Sequence, residues 1–382
     1  MRTVFYTITL ISLACTSAEQ KPLNQSEWQL RMREISVAFA KLVRLSYLRS
    51  SETTTFEKEA KELARIAQEI DRHGQNLKFD KDPVLKFVAR DFSADMQSAY
   101  LSAKSGNVGV AKSIIRSTSN YCISCHTRND QGIQDTAGFL SVDVGDLKGI
   151  EKADYFAAVR QFLPALNAYD QVLTSPRFSE TNTKEWTTGM KKSLAIAVRV
   201  ERNPSLTLEL ISRVFDAKSV PLSFREAALT WRRATKEWRD TEKKETAMNN
   251  AAKVKEARLL VHKGQLAIQE TWNSEAGLIY FLRASSLLND IVTKQKEISD
   301  YSEVLYLSGL AAEALRDVNL WTFDEIYYES CIRAKPHSEN SRKCFTRYEA
   351  LQFLGESYHL DENTTIEPAQ ITKLKQLKEL AL

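Results

Sequence analysis

The chain has 382 residues, enough for two or three domains and an ample core. Its 53 Lys and Arg stand against 49 Asp and Glu with the signs interleaved, and nothing in this near-balance suggests nucleic acid or an anionic membrane surface as partner. Only 12 Gly and 8 Pro, few β-branched runs and abundant Ala, Leu, Glu and Lys point to an all-α protein.

The N-terminus reads as an export signal over residues 1–18. Arg2 is a minimal positive region, Val4 to Ala14 is apolar, and Thr16-Ser17-Ala18 supplies small residues for cleavage. The apolar run is far short of the ~20 residues a spanning helix needs, so no membrane span is expected. A buried N-terminal helix is the plain alternative, but the stretch lacks helical periodicity. Cys15 offers a lipoprotein anchor. Ser12-Leu13-Ala14 ahead of it is a poor lipobox, so cleavage after Ala18 into the periplasm is preferred.

Four helix-length segments fill residues 24–130. The first, Ser26 to Tyr47, places Trp28, Met32, Ile35, Phe39 and Leu42 on one inward stripe. The second, Thr55 to Arg72, carries Phe56, Leu63, Ile66 and Ile70 and ends at His73-Gly74, a C-cap signal. The third, Pro83 to Lys104, carries Leu85, Val88, Phe92, Met96 and Tyr100 and stops at Ser105-Gly106-Asn107. The fourth, Val108 to Thr127, carries Ile114, Ile115 and the pentapeptide Cys122-Ile123-Ser124-Cys125-His126. Short connections between amphipathic helices predict an antiparallel four-helix bundle.

Cys-x-x-Cys-His is the attachment signature of a c-type haem. Thiols one turn apart form thioethers to the two vinyl groups of one porphyrin, and the next imidazole is the proximal iron ligand. A redox dithiol or half of a zinc site would use the same pair of cysteines. The first lacks its βαβ context, and the second lacks a partner pair.

Four helices with this motif on the last and a Met on the first resemble the cytochrome c′ family and its methionine-ligated relatives. The resemblance covers Ser26 to Asp130 and implies one covalent haem c. Cys122 and Cys125 would be the thioether sites, His126 the proximal ligand and Met32 the distal ligand. One departure stands out. The family often has a basic residue four positions beyond its haem His, where this chain has Asp130, with Arg128 nearer. Met on an apolar helix face is usually core filler, so plain packing is the competing role for Met32. Met96 is a further candidate ligand.

Residues 131–148, with Gly132, Gly138 and Gly145, read as a linker. Beyond them, over 149–382, the pattern changes to helical pairs. Ala153, Phe156, Ala165, Tyr169 and Val172, with Pro176 one position early, follow tetratricopeptide spacing. Leu307, Gly309 and Ala312 before Tyr327-Tyr328, Cys331 and Pro336 form a looser second match. Further helices are predicted over 185–201, 205–215, 224–239, 251–271 and 277–298. The region resembles an irregular tetratricopeptide-like α-solenoid, with a generic helical domain as the alternative. Arg232 to Arg258 reads as a solvated helix face of mixed sign. Cys331 and Cys344 flank Pro336, a break between helices, and in an oxidising compartment they are expected to pair. The late aromatic residues Trp321, Phe323, Tyr327, Tyr328, Phe345, Tyr348 and Phe353 fit core packing, with a partner groove as the alternative. His337 is placed to cap the next helix.

There is no phosphate loop, zinc-protease motif, nucleophile elbow or second haem motif, and no enzymatic role is expected. The expectation is an exported mono-haem cytochrome that transfers single electrons, with a redox partner protein docking on the helical repeats. Two rivals remain: a five-coordinate haem protein that binds or senses a gas such as nitric oxide, and a scaffold with a structural haem.

Overall fold

The computed structural model describes residues 25–48, 53–74, 83–126, 147–294, 298, 300–316, 323–357 and 368–382. The export signal and nearly all of the expected linker lie outside these residues. The described chain is all-α, with sixteen α-helices and no strand.

The first four helices are α1 (Gln25–Tyr47), α2 (Thr53–Gly74), α3 (Pro83–Lys104) and α4 (Val108–His126). Of their inward stripes, Ile35, Phe39 and Leu42, then Phe56, Leu63, Ile66 and Ile70, then Phe92 and Met96, then Ile115 are buried, while Val88, Tyr100 and Ile114 are half-buried and the side chains of Trp28, Met32 and Leu85 lie outside the described residues. Helix α1 packs on α2 and α4, and α3 packs on α2 and α4. Across the middle the rings of Phe39 and Phe92 meet edge to face at 6.2 Å, a favoured aromatic arrangement. The α3–α4 turn needs Gly106, whose φ of +85° lies in the left-handed region. There the Asn107 N–H donates back to Ser102 O at 2.8 Å, closing the end of α3.

The remaining helices follow as α5 (Gly149–Ala158), α6 (Phe162–Leu173), α7 (Pro176–Thr181), α8 (Thr183–Ala195) and α9 (Pro204–Asp216). Then come α10 (Arg225–Thr246), α11 (Asn250–Thr271), α12 (Leu278–Lys294) and α13 (Tyr301–Ala314). The last three are α14 (Asp324–Ala334), α15 (Glu339–Ser357) and α16 (Pro368–Ala381). Their starts are written locally. Ser175 precedes Pro176 and accepts from Phe178 N, Asn203 precedes Pro204 and accepts from Leu206 N at 2.9 Å, and Asn249 accepts from Ala252 N at 2.9 Å. Neighbours in sequence pack on one another from α9 through α16. Arg232 to Arg258 spans two helices, α10 and α11, because the chain turns at 247–249.

Near the C-terminus two helices approach closely at a glycine. A Cβ on Gly309 of α13 would run into the ring of Tyr328 on α14. Phe323, Tyr327, Tyr328, Phe345 and Tyr348 are buried together, as core packing requires, while the side chains of Trp321 and Phe353 lie outside the described residues. Helix α15 is capped by Ser338 and not by His337, since the Ser341 N–H donates to Ser338 Oγ at 3.1 Å. His337 is exposed, at a left-handed φ of +57°.

Cys331 and Cys344 form a disulfide across the α14–α15 turn, 13 residues apart in sequence, and both are buried. Replacing both with Ala should lower unfolding stability by about 3 kcal/mol, the chain-entropy estimate for so short a loop. Urea denaturation measures this, and alkylation of both thiols in the unreduced, unfolded wild type would contradict the pairing.

Candidate metal centre

Helix α4 remains helical through His126, so positions 122, 125 and 126 fall on one face, one turn apart. Ala111, Ile115 and Thr118 of α4 are each fully buried. That stripe steps by four and three, and the same alternation continues to positions 122 and 125. On α1 the buried stripe of Leu42, Phe39 and Ile35 continues backwards to position 32 in the same way. The side chains of Met32, Cys122, Cys125 and His126 lie outside the described residues.

Helices α1 and α4 run antiparallel. The Lys112 ammonium donates to Leu48 O at 2.7 Å, and the Arg116 guanidinium lies 5.5 Å from the centre of the Tyr47 ring. From Lys112 to His126 is ~21 Å of helix and from Leu48 back to Met32 is ~24 Å, so the two positions share an axial level to within a turn. Met96 does not share it. Helix α3 folds back at Gly106, which puts Met96 ~15 Å along the axis from His126. Its side chain is only 1% exposed, packed in the core. Met96 is core filler there. His73 belongs to the last turn of α2, His262 and His337 are exposed, and His359 lies outside the described residues. Among the described residues no three His, Cys, Asp or Glu side chains converge as a metal site.

The two ends of this four-helix unit are covered differently. At the motif end, Val84 is fully buried in the cluster built from Tyr327, Cys331, Phe345 and Tyr348, and Phe87 and Val88 pack against it. The disulfide-clamped hairpin thus abuts the end of α3 that lies level with the motif. At the opposite end, α5 packs on α1 and α4. Asp154 of α5 accepts from Tyr169 and from the Lys192 ammonium, the latter at 2.9 Å. Burial, and then the Asp154 charge, push the Tyr169 hydroxyl far above its ordinary pKa. Burial also raises Tyr47, with Asp154 and Glu151 adding to it. Both phenols therefore stay protonated at neutral pH, and Tyr169 serves as donor to the carboxylate.

Sequence reasoning missed this polar joint. Lys191 and Lys192 sit in a helix enclosed on every side, where Lys191 pairs with Glu275. The available signal was their setting between Gly189-Met190 and the apolar run Leu194 to Val198.

A family-model scan, a search of characterised proteins and a search of solved structures each return no match to this chain.

Removing one partner of a buried ion pair strands the other charge. Lys192→Met should therefore cost about 3–5 kcal/mol in urea unfolding. Pairing it with Asp154→Asn should recover part of that loss, a sign of coupling that a double-mutant cycle reads directly.

Proposed function

We propose that the protein is an exported, periplasmic mono-haem c-type cytochrome that transfers single electrons. Residues 24–130 act as an antiparallel four-helix bundle of the cytochrome c′ kind, and the helices after residue 148 act as a tetratricopeptide-like array that docks a redox partner. One observation carries the reading: the inward register of α4 runs on into the Cys-x-x-Cys-His positions, level with Met32 on the facing helix. The donor set suits the group. Two thiols one turn apart match two vinyl groups, an imidazole follows directly, and a methionine position stands level with them on the facing helix.

When bound, the haem supplies an iron that cycles between ferrous and ferric states. The chain's residues do the rest. Cys122 and Cys125 would hold the porphyrin covalently, and His126 would ligate the iron. Met32 would supply a second protein ligand, leaving no position for added ligands and favouring the ferrous state. The apolar stripes of α1 and α4 exclude water, lower the local dielectric and so tune the potential. The expected cleavage after Ala18 and the buried disulfide agree with an oxidising compartment.

Acid–acetone extraction should leave the haem on the polypeptide, while Cys122→Ala with Cys125→Ala should yield a chain without it. Haem that extracts freely from the wild type would reject the assignment.

Met32 separates electron transfer from gas binding. Met32→Ala should turn a low-spin spectrum high-spin, admit carbon monoxide and lower the potential. An unchanged spin state, with only the ~2–5 kcal/mol loss of a truncated core Met, would favour the gas-binding reading.

A further inference from the structure

Trp272 is 95% exposed and Leu222 is 86% exposed. They lie side by side at one corner, because the Asn273 side-chain amide donates to Ser223 O at 3.1 Å. Helices α10 and α11 run antiparallel there, held by Lys263–Glu237 at 2.9 Å and Arg233–Glu270 at 3.9 Å. That register brings Leu229, also exposed, level with Trp272.

The backbone makes the choice of tryptophan informative. Trp272 ends α11 with φ +51° and ψ +30°, the left-handed conformation. Glycine or asparagine is the residue that favours this cap, and a bulky side chain there is strained. A ring that is almost wholly exposed recovers nothing by packing. Folding therefore gains nothing from this tryptophan, and an outlier of this kind points outward to a function.

The charges left outside ion pairs around the corner are mostly basic. Arg225, Arg232 and Lys236 are exposed on the same face of α10 and form no ion pair among the described residues. Of the nearby acids, Glu270, Glu237 and Asp240 are engaged by Arg233, Lys263 and Arg239, which leaves Glu226 as the exposed acid beside them without an ion pair among the described residues. The whole-chain balance conceals this local excess.

We propose that this corner docks the protein on an anionic lipid surface, with Trp272 and Leu222 entering the headgroup layer and Arg225, Arg232 and Lys236 meeting lipid phosphates. The shape favours lipid over a protein partner. Trp272 and Leu222 stand out from the corner with almost their whole side chains exposed, tips that a soft interface accepts without a matching pocket. Indole, apolar in its body with one N–H donor, suits that interface, and clustered cations draw the surface to an anionic leaflet. No described helix is long and apolar enough to cross a membrane, so the contact is peripheral. The inference stands independently of the metal centre.

Vesicles of phosphatidylglycerol in phosphatidylcholine test it, with pure phosphatidylcholine as control, by co-sedimentation and by tryptophan fluorescence under brominated-lipid quenching. The full chain should bind the anionic vesicles, and binding should weaken as salt rises. Trp272→Ala with Leu222→Ser should lower partitioning about tenfold, as should Arg232→Glu with Lys236→Glu. Trp272→Gly should abolish the lipid-quenchable signal yet melt no lower than the wild type, since it relieves the left-handed cap. Failure of the wild type to bind anionic vesicles would overturn the proposal, as would equal binding by the four-residue set of variants. Trp272-dependent dimers in sedimentation velocity without lipid would assign the corner to a second copy instead, which also overturns it.

Discussion

The structure turns on a helix with no solvent face. From Trp186 to Arg199, α8 and the π-helical turn that extends it are buried almost without a break. Such a helix is ordinarily apolar all round, yet this one carries two adjacent lysines. Burying an ammonium is tolerable only beside a carboxylate, and neighbouring helices supply two: Glu275 for Lys191 and Asp154 for Lys192. Because adjacent residues on a helix point in different directions, the two pairs fix the rotation of α8. They also tie it to α5 on one side and to the turn before α12 on the other. The Trp186 indole adds a third direction by donating to Leu173 O at 2.9 Å.

That anchoring reaches the first four helices. Asp154, held by Lys192 and Tyr169, belongs to the helix that packs on α1 and α4. At the other end, Val84, Phe87 and Val88 meet the disulfide-clamped hairpin. The unit carrying the Cys-x-x-Cys-His motif is thus gripped at both ends, through a polar joint far from the motif and an apolar one level with it. An apolar neighbour at the motif end suits the haem proposed above, which needs water kept away, and a charged joint placed there would oppose that by raising the local dielectric.

Global charge proved a poor guide to local surface. A net charge of +4 over the chain is compatible with three unpaired cations beside two protruding apolar side chains, because intramolecular pairing consumes most of the acids nearby. Which acids are consumed depends on the antiparallel register of α10 and α11, and no sequence window contains that information.

The all-helical class, most of the buried stripe residues and the Cys331–Cys344 pairing were legible in the sequence. Each depends on spacing within a few turns or on a short loop, where periodicity and caps act locally. The motif itself was legible because five consecutive residues carry it. Other features were decided by tertiary packing. Met96 and Met32 look alike as Met residues on inward stripes, and only the fold-back at Gly106 sets one ~15 Å from the motif and the other level with it. Lys191 and Lys192 look like surface charges until α8 is surrounded. Tyr169 and Asp154 become a pair only when α5 and α6 close on each other. Periodicity tells a chain which face of a helix to bury, but what that face meets depends on contacts between residues far apart in sequence, and for those the chain carries no local signal.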